Sequence, residues 1–274
     1  MSTFRDFELG RWEDPGVCAA YLDRLGELVV QVIEPMLDAV AVGPSDRVLD
    51  MATGAGTAAA AVAERGAAVV GVDFSAEQLR RARAEHPELT FQQGDADALP
   101  FGGESFDAVV CNFGVPHFPD PDAFFAESLR VLRPAGRLAF TVWAEPAHTK
   151  AFGAVLGAVA RFGSMDVGLP PGPNFFREAD GDTARQSLTA AGFEAVSVAM
   201  VMQTWELPDA DDAFESIRTG TARTAALLQA QQPEALARIR QAVREELTVY
   251  QVDGGGYRIP MPAVLVTGAK PPAP

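Results

Sequence analysis

Residues 48–59 read VLDMATGAGTAA: a short apolar run, an acid where it ends, a Gly-x-Gly turn at Gly54 and Gly56, and the start of a small-residue helix. Glycine lacks a Cβ, so the backbone can turn tightly there and approach a ligand closely. The spacing Gly54, Gly56, Ala59 also satisfies the loose dinucleotide pattern Gly-x-Gly-x-x-Gly/Ala, so the glycines alone do not choose the ligand. Asp50 does. A pyrophosphate would lie beside it at the helix N-terminus, and two like unit charges about 4 Å apart repel by roughly 4 kcal/mol at an effective dielectric of 20. A cationic ligand reverses that sign.

Outward from this loop, short apolar runs alternate with helical periodicity, the pattern of parallel strands joined by crossover helices. Strands are expected at 47–51, 68–72, 89–93, 106–112 and 136–143, with helices near 56–65, 76–86 and 121–132. Ser75 and Gln78 have capping-box spacing, and Asp120-Pro121 supplies a cap followed by proline at the first helical position. Ahead of the first strand, Tyr21, Leu25, Leu28, Val32 and Met36 form one apolar stripe, which predicts a helix over 16–42. Beyond Trp143 the regularity breaks at Glu145-Pro146, and the LPPGP stretch at 169–173 suits neither helix nor central strand. A helix at 183–191 ending at Gly192 follows, then a sixth strand over 194–205 with Val196, Val198, Met200 and Met202 on one face. Two helical segments come next. The second, 233–249, sets Leu236, Ile239, Val243 and Leu247 on one side, and the chain closes with a strand near 262–267 and a frayed PPAP tail. The expected fold class is α/β, a doubly wound, mostly parallel sheet of seven strands, with ligands beyond the carboxyl ends of the strands near the switch in strand order.

Asp73 ends the second strand, VVGVD, where a carboxylate can accept both hydroxyls of a ribose. In QQGDADALPF, Asp95 is placed to accept an exocyclic adenine amine, the Ala96 backbone to meet a ring nitrogen, and Phe74 to cover the ring face. Asn112-Phe113-Gly114 closes the fourth strand at the same edge. A ligand that joins adenosine to a cationic amino-acid portion, S-adenosylmethionine, suits both acids. Taken together, VLDMATGAGTA, VVGVDFS, GDADALPF and FDAVVCNFGVPHFPDPDAFFAESLRVLRPAGRLAFTVW resemble the class I S-adenosylmethionine-dependent methyltransferases, and within them the small-molecule group similar to ubiquinone/menaquinone-type C-methylases. The likeness covers about 47–145 and implies a Rossmann-like fold with helical lid insertions. It implies that Asp50, Gly54 and Gly56 hold the methionine part, Asp73 the ribose and Asp95 the adenine. Ala52, Thr53, Phe74, Gln78, Gly94, Ala96, Asn112, Phe113 and Gly114 complete the candidate cofactor set, and S-adenosylhomocysteine is the implied product. The sequence departs from the group at two places: Ala52 stands at the usual first glycine of the loop, and Ala135 makes RPAG of the usual RPGG. A methyl group at Ala52 is expected to fit with a negative φ.

His117, just past the fourth strand, has the pKa class of a general base and is the candidate catalytic residue, although core packing accounts for such a histidine as well. Acceptor recognition is expected outside the core: an N-terminal helical cap at 1–46, an insertion at 146–181, and helices at 209–250 within the 182–274 completion of the sheet. Their Phe, Met, Trp and Leu content points to a largely apolar acceptor, an aromatic, polyketide-like or quinone-like natural product, methylated at O, C or N.

The 274 residues are 48% hydrophobic and 22% charged, ordinary for a globular chain, and hold no apolar run of the roughly 18 residues a bilayer span needs. MSTFRDFELGRW lacks a secretory pattern, which makes the cytoplasm the expected compartment. Cys18 and Cys111 with three scattered histidines make neither a disulfide framework nor a metal site. Twenty-two basic against 37 acidic residues give a net charge of −15, which disfavours nucleic acid as a partner. A homodimer is common among enzymes of this kind. Two alternatives share the loop chemistry: a protein that binds S-adenosylmethionine without methylating, and a nicotinamide-dependent Rossmann oxidoreductase, against which Asp50 argues.

Overall fold

The structure is a computed structural model that describes residues 3–273; the first two residues and the last proline of the PPAP tail lie outside the described residues. Contacts divide the chain into two compact units, one of 1–28, 143–171 and 202–262, the other of 29–142, 172–201 and 263–274.

The second of these holds the sheet. Its strands are β1 (Arg47–Met51), β2 (Ala68–Asp73), β3 (Thr90–Gln93), β4 (Phe106–Asn112), β5 (Leu132–Trp143) and β6 (Glu194–Val201), and near the C-terminus β9 (Ala263–Ala269). The spatial order is β3-β2-β1-β4-β5-β9-β6. β1 runs parallel to both β2 and β4, β2 to β3 and β4 to β5, while β9 is antiparallel to β6, and its hydrogen bonds to β5 (Lys270 N–H to Gly136 O, Ala144 N–H to Pro262 O) also run antiparallel. The strand order reverses between β1 and β4, so the expected switch point falls where VLDMATGAGTAA meets FDAVVCNFGV. The seven-stranded, mostly parallel sheet is the architecture expected from the sequence.

The crossover helices follow their local chemistry. α4 (Thr57–Glu64) starts at Gly56, whose φ of 87° only glycine adopts without strain. α5 (Ala76–Glu85) is capped by the Ser75 hydroxyl, which accepts from the Gln78 N–H at 3.1 Å. Asp120 caps α6 (Pro121–Val131), accepting from the Asp122 and Ala123 N–H groups at 3.1 Å each. α8 (Gly181–Ala191) ends at Gly192 with φ 101°. One face of the sheet packs Val48, Ala108, Val110 and Ala139 against Met36, Leu37, Ala58 and Val62, and a smaller cluster joins Ala59, Leu79, Ala82 and Phe91.

The other unit carries α1 (Phe4–Trp12), α2 (Pro15–Val29), α7 (Lys150–Phe162), α9 (Ala210–Gly220), α10 (Arg223–Gln229), α11 (Pro233–Leu247) and a two-stranded antiparallel ribbon, β7 (Thr204–Leu207) with β8 (Tyr257–Pro260). α11 buries Ile239, Val243 and Leu247, as its periodicity predicts, while Leu236 is half-buried.

Several boundaries differ from the sequence reading. The helix expected over 16–42 is three pieces: α2, a 3-10 turn at Val30–Val32, and α3 (Ile33–Ala39). Pro35 has no N–H for a bond one turn back, so a continuous helix would fail there. Within 146–181 the sequence showed no regular element, yet α7 runs for 13 residues. Gly153, Gly157 and Gly163 lowered its apparent propensity and hid the spacing of Phe152, Val155 and Val159, all buried. The strand expected over 194–205 stops at Val201, and Met200 and Met202 are 48% and 70% exposed rather than facing a core. β6 is an edge strand, whose apolar alternation does not reveal which face is covered. Three helices, not two, fill 209–249, and the tail is less frayed than expected: Lys270 N–H donates to Gly136 O at 2.8 Å and Ala135 N–H to Pro271 O at 3.4 Å.

Candidate functional site

Asp50, the residue before the last of β1, is 1% exposed. Its Oδ2 accepts the Thr53 hydroxyl at 2.6 Å, and its Oδ1 is buried without a hydrogen-bond partner. Burial pushes its carboxyl up to about 7; the Thr53 hydroxyl and the Ala59 N–H pull it back, and the Asp73 charge adds to the rise. The Thr53 N–H donates to Val72 O at 3.0 Å, which pins the first loop to the end of β2.

There Asp73, 4% exposed, gathers the second loop: Oδ2 accepts the Gly54 N–H at 2.9 Å and Oδ1 the Ser75 N–H at 3.0 Å. Burial lifts its carboxyl to about 6 against the pull of those N–H groups and of the nearby His117 charge. Each carboxylate oxygen can accept a further hydrogen bond. Gly54 has φ 56°, and a Cβ built there meets nothing within 4 Å, so the glycine serves the turn and leaves open space above it. Gly94 N–H donates to Asp73 O at 3.0 Å, drawing the third loop in, with Asp95 half-buried and Ala96 9% exposed beyond it. Phe74 is half-buried, and its carbonyl accepts Gln93 Nε2 at 2.9 Å. Gln78 is 6% exposed and its Oε1 has no hydrogen-bond partner; only the Ser75 half of the capping box forms.

At the end of β4, Asn112 is held from two sides: its Nδ2 donates to Val29 O at 3.1 Å and its Oδ1 accepts the Thr141 hydroxyl at 2.7 Å. Phe113 turns with φ 56° while its N–H donates to Thr141 Oγ1 at 3.0 Å. A Cβ on Gly114 would stand 2.6 Å from the Ala52 Cβ and 2.7 Å from Cys111 Sγ, so the loops after β1 and β4 touch through this glycine. His117, half-buried, closes the 3-10 turn Val115–His117 with its ring edge-on to Phe175, centroids 5.7 Å apart.

One expectation is overturned. Ala52 has φ 55°, not a negative value, and Ala135 has φ 61°. Both alanines take the left-handed backbone that the glycine usual at these places adopts without strain. A left-handed non-glycine residue costs about 1–2 kcal/mol, and glycine gives back part of that through its unfolded-state entropy. Ala52→Gly is therefore expected to stabilise the protein by roughly 0.5–1 kcal/mol, read as a higher urea midpoint.

The structure thus brings Asp50, Ala52, Thr53, Gly54, Asp73, Gly94 and Gly114 into contacting loops at the carboxyl edge of β1, β2, β3 and β4. Gly56 stands apart as the start of α4, where a Cβ would lie 2.8 Å from Phe91 Cζ. Sequence reasoning missed Thr141 and Gly71. Thr141 carries no pattern that announces it, whereas a glycine inside the apolar strand VVGVD is a signal of close approach.

Residues 49–140 match the family model described as a methyltransferase domain. Over 111 residues the chain is 41% identical to the demethylmenaquinone methyltransferase of Renibacterium salmoninarum, covering 40% of this chain and 47% of that protein. It thus spans about half the length of this curated relative. Among solved structures, a putative methyltransferase from Bacillus halodurans superposes with a TM-score of 0.56 at 24% identity, covering 87% of this chain and 98% of that one. Phosphoethanolamine N-methyltransferase 2 of Haemonchus contortus, in complex with phosphomonomethylethanolamine and S-adenosylhomocysteine, gives 0.62 at 19% identity, covering 99% and 61%. Within 49–140 the chain is thus similar to a methyltransferase domain, and these solved structures share its fold. Over that stretch its sequence is similar to demethylmenaquinone methyltransferases. No helix among the described residues is long and apolar enough to cross a membrane.

Proposed function

We propose that the protein is an S-adenosylmethionine-dependent methyltransferase that transfers the methyl group in line to a small, largely apolar acceptor of aromatic or quinone-like character. The observation that carries this reading is the pair of buried acids at the ends of β1 and β2, Asp50 and Asp73, tied together through Thr53 and the Gly54 N–H. The set fits the cofactor chemically: Asp50 keeps a buried Oδ1 without a partner for a cationic group, and Gly54 faces open space. Asp73 would hold the ribose hydroxyls on its remaining lone pairs, Asp95 and Ala96 with Phe74 and Gln78 would hold the adenine, and Asn112, Phe113 and Gly114 would help to hold the methionine portion. When bound, the cofactor supplies an electrophilic methyl on a sulfonium.

The chain's own contribution is alignment and exclusion of water; good positioning alone is worth roughly 7–11 kcal/mol of barrier lowering. The resemblance to demethylmenaquinone methyltransferases makes a reduced naphthoquinone the first acceptor to test. His117 is the candidate base for an acceptor hydroxyl. His117→Ala is expected to lower turnover by about 10²–10⁴-fold while S-adenosylhomocysteine still binds, measured by product mass spectrometry beside calorimetry. Full turnover in that variant would return His117 to a packing role. No methylated product from any reduced quinone or phenol, with cofactor bound, would favour a protein that binds without methylating.

A further inference from the structure

Thr53 would pass for an ordinary loop residue, but three contacts single it out. Its hydroxyl lies 2.6 Å from Asp50 Oδ2 in a buried setting, Thr53 itself being 6% exposed. Its N–H is fixed to Val72 O at 3.0 Å, so the residue cannot swing away with the loop. Finally, Gly71, the register partner of Asp50 across β1 and β2, leaves room for it: a Cβ on Gly71 would sit 2.7 Å from Thr53 Oγ1. The absent side chain in β2 is thus matched by the hydroxyl that bonds the acid in β1.

The geometry points to Thr53 as a positioning residue: its hydroxyl holds one oxygen of Asp50, presents the other to the cationic part of the ligand, and favours the ionised acid. This rests on the cofactor reading above. A donor that is itself uncharged stabilises a carboxylate over its neutral acid, because only the anion accepts on both oxygens without carrying a proton. The groups facing Asp50 are the Thr53 hydroxyl, the Ala59 N–H, the Asp73 carboxylate and the Cys111 thiol, and His117 faces Asp73. Asp73 and burial oppose ionisation of Asp50; the Thr53 hydroxyl and the Ala59 N–H favour it.

The test is the affinity for S-adenosylhomocysteine from pH 5.5 to 8.5 in wild type, Thr53→Ser and Thr53→Val. Affinity should strengthen as pH rises. Thr53→Ser should follow the wild-type curve within about threefold, whereas Thr53→Val should bind roughly tenfold more weakly near neutrality, with the midpoint of its pH dependence moved upward. Thr53→Ala, which adds no methyl beside Gly71, takes the place of Thr53→Val if the latter fails to fold. A purely structural role would lower the melting temperature and leave the midpoint where it is. An unmoved midpoint overturns the assignment whether or not affinity falls. Absence of binding by the wild type is a different result, which overturns the cofactor reading itself.

Discussion

Asp73→Asn is expected to lose S-adenosylhomocysteine affinity by at least about 100-fold, since a hydrogen bond to a charged group contributes about 1.5–3 kcal/mol and two ribose hydroxyls are at stake. The isosteric amide cannot copy the acid. Asp73 accepts the Gly54 N–H on one oxygen and the Ser75 N–H on the other. An asparagine presents an NH2 group to one of those donors, so the Gly54 turn or the Ser75 cap loses its acceptor. The apo protein should nonetheless fold. Burial raises the Asp73 carboxyl from its ordinary 3.8 to about 6, so ionised Asp73 costs the folded state stability that is present below 3.8 and lost as pH rises through about 6. Removing that charge offsets part of the lost hydrogen bonding. Calorimetry and a thermal melt on one sample separate the two effects; wild-type affinity in Asp73→Asn would remove Asp73 from the site.

The second large effect concerns α7. Alanine normally stabilises a helix interior over glycine by roughly 0.5–1 kcal/mol. At Gly153 the sign should reverse: a Cβ there collides with the carbonyl oxygen of Pro146, a main-chain atom that cannot rotate away. Overpacking of this kind costs about 1–3 kcal/mol, so Gly153→Ala is expected to lower stability by roughly 2 kcal/mol. Gly157, in the same helix, meets nothing within 4 Å, and Gly157→Ala should show the ordinary gain. Urea denaturation of the pair decides it. Equal gains in both variants would mean that the turn at Pro146 does not approach α7 as closely as described.

The same helix shows why part of the fold was illegible. β1, β2 and β4 were readable because each is a short apolar run with a residue of its own chemistry at or next to its end, Asp50, Asp73 and Asn112. α7 was not, because the glycine that allows its close packing on the Pro146 turn also weakens the helix signal. β7 and β8 form a two-stranded ribbon apart from the main sheet, and a four-residue strand beside Gly254, Gly255 and Gly256 reads locally as loop. In the site, the acids and Gly54 announced themselves through spacing. The φ of Ala52 could not, since its methyl is accommodated by a bare Cα at Gly114, 62 residues away in sequence. Gly114→Ala would set two Cβ atoms 2.6 Å apart, so the departure at Ala52 is tied to the glycine that meets it.

The most direct test of the central claim is a calorimetric titration of the purified protein with S-adenosylhomocysteine, beside NAD and NADP on the same sample. The two buried acids require a one-to-one response to S-adenosylhomocysteine and none to either dinucleotide. Silence toward S-adenosylhomocysteine with a response to NAD or NADP would contradict the reading of Asp50 and place the protein among the oxidoreductases.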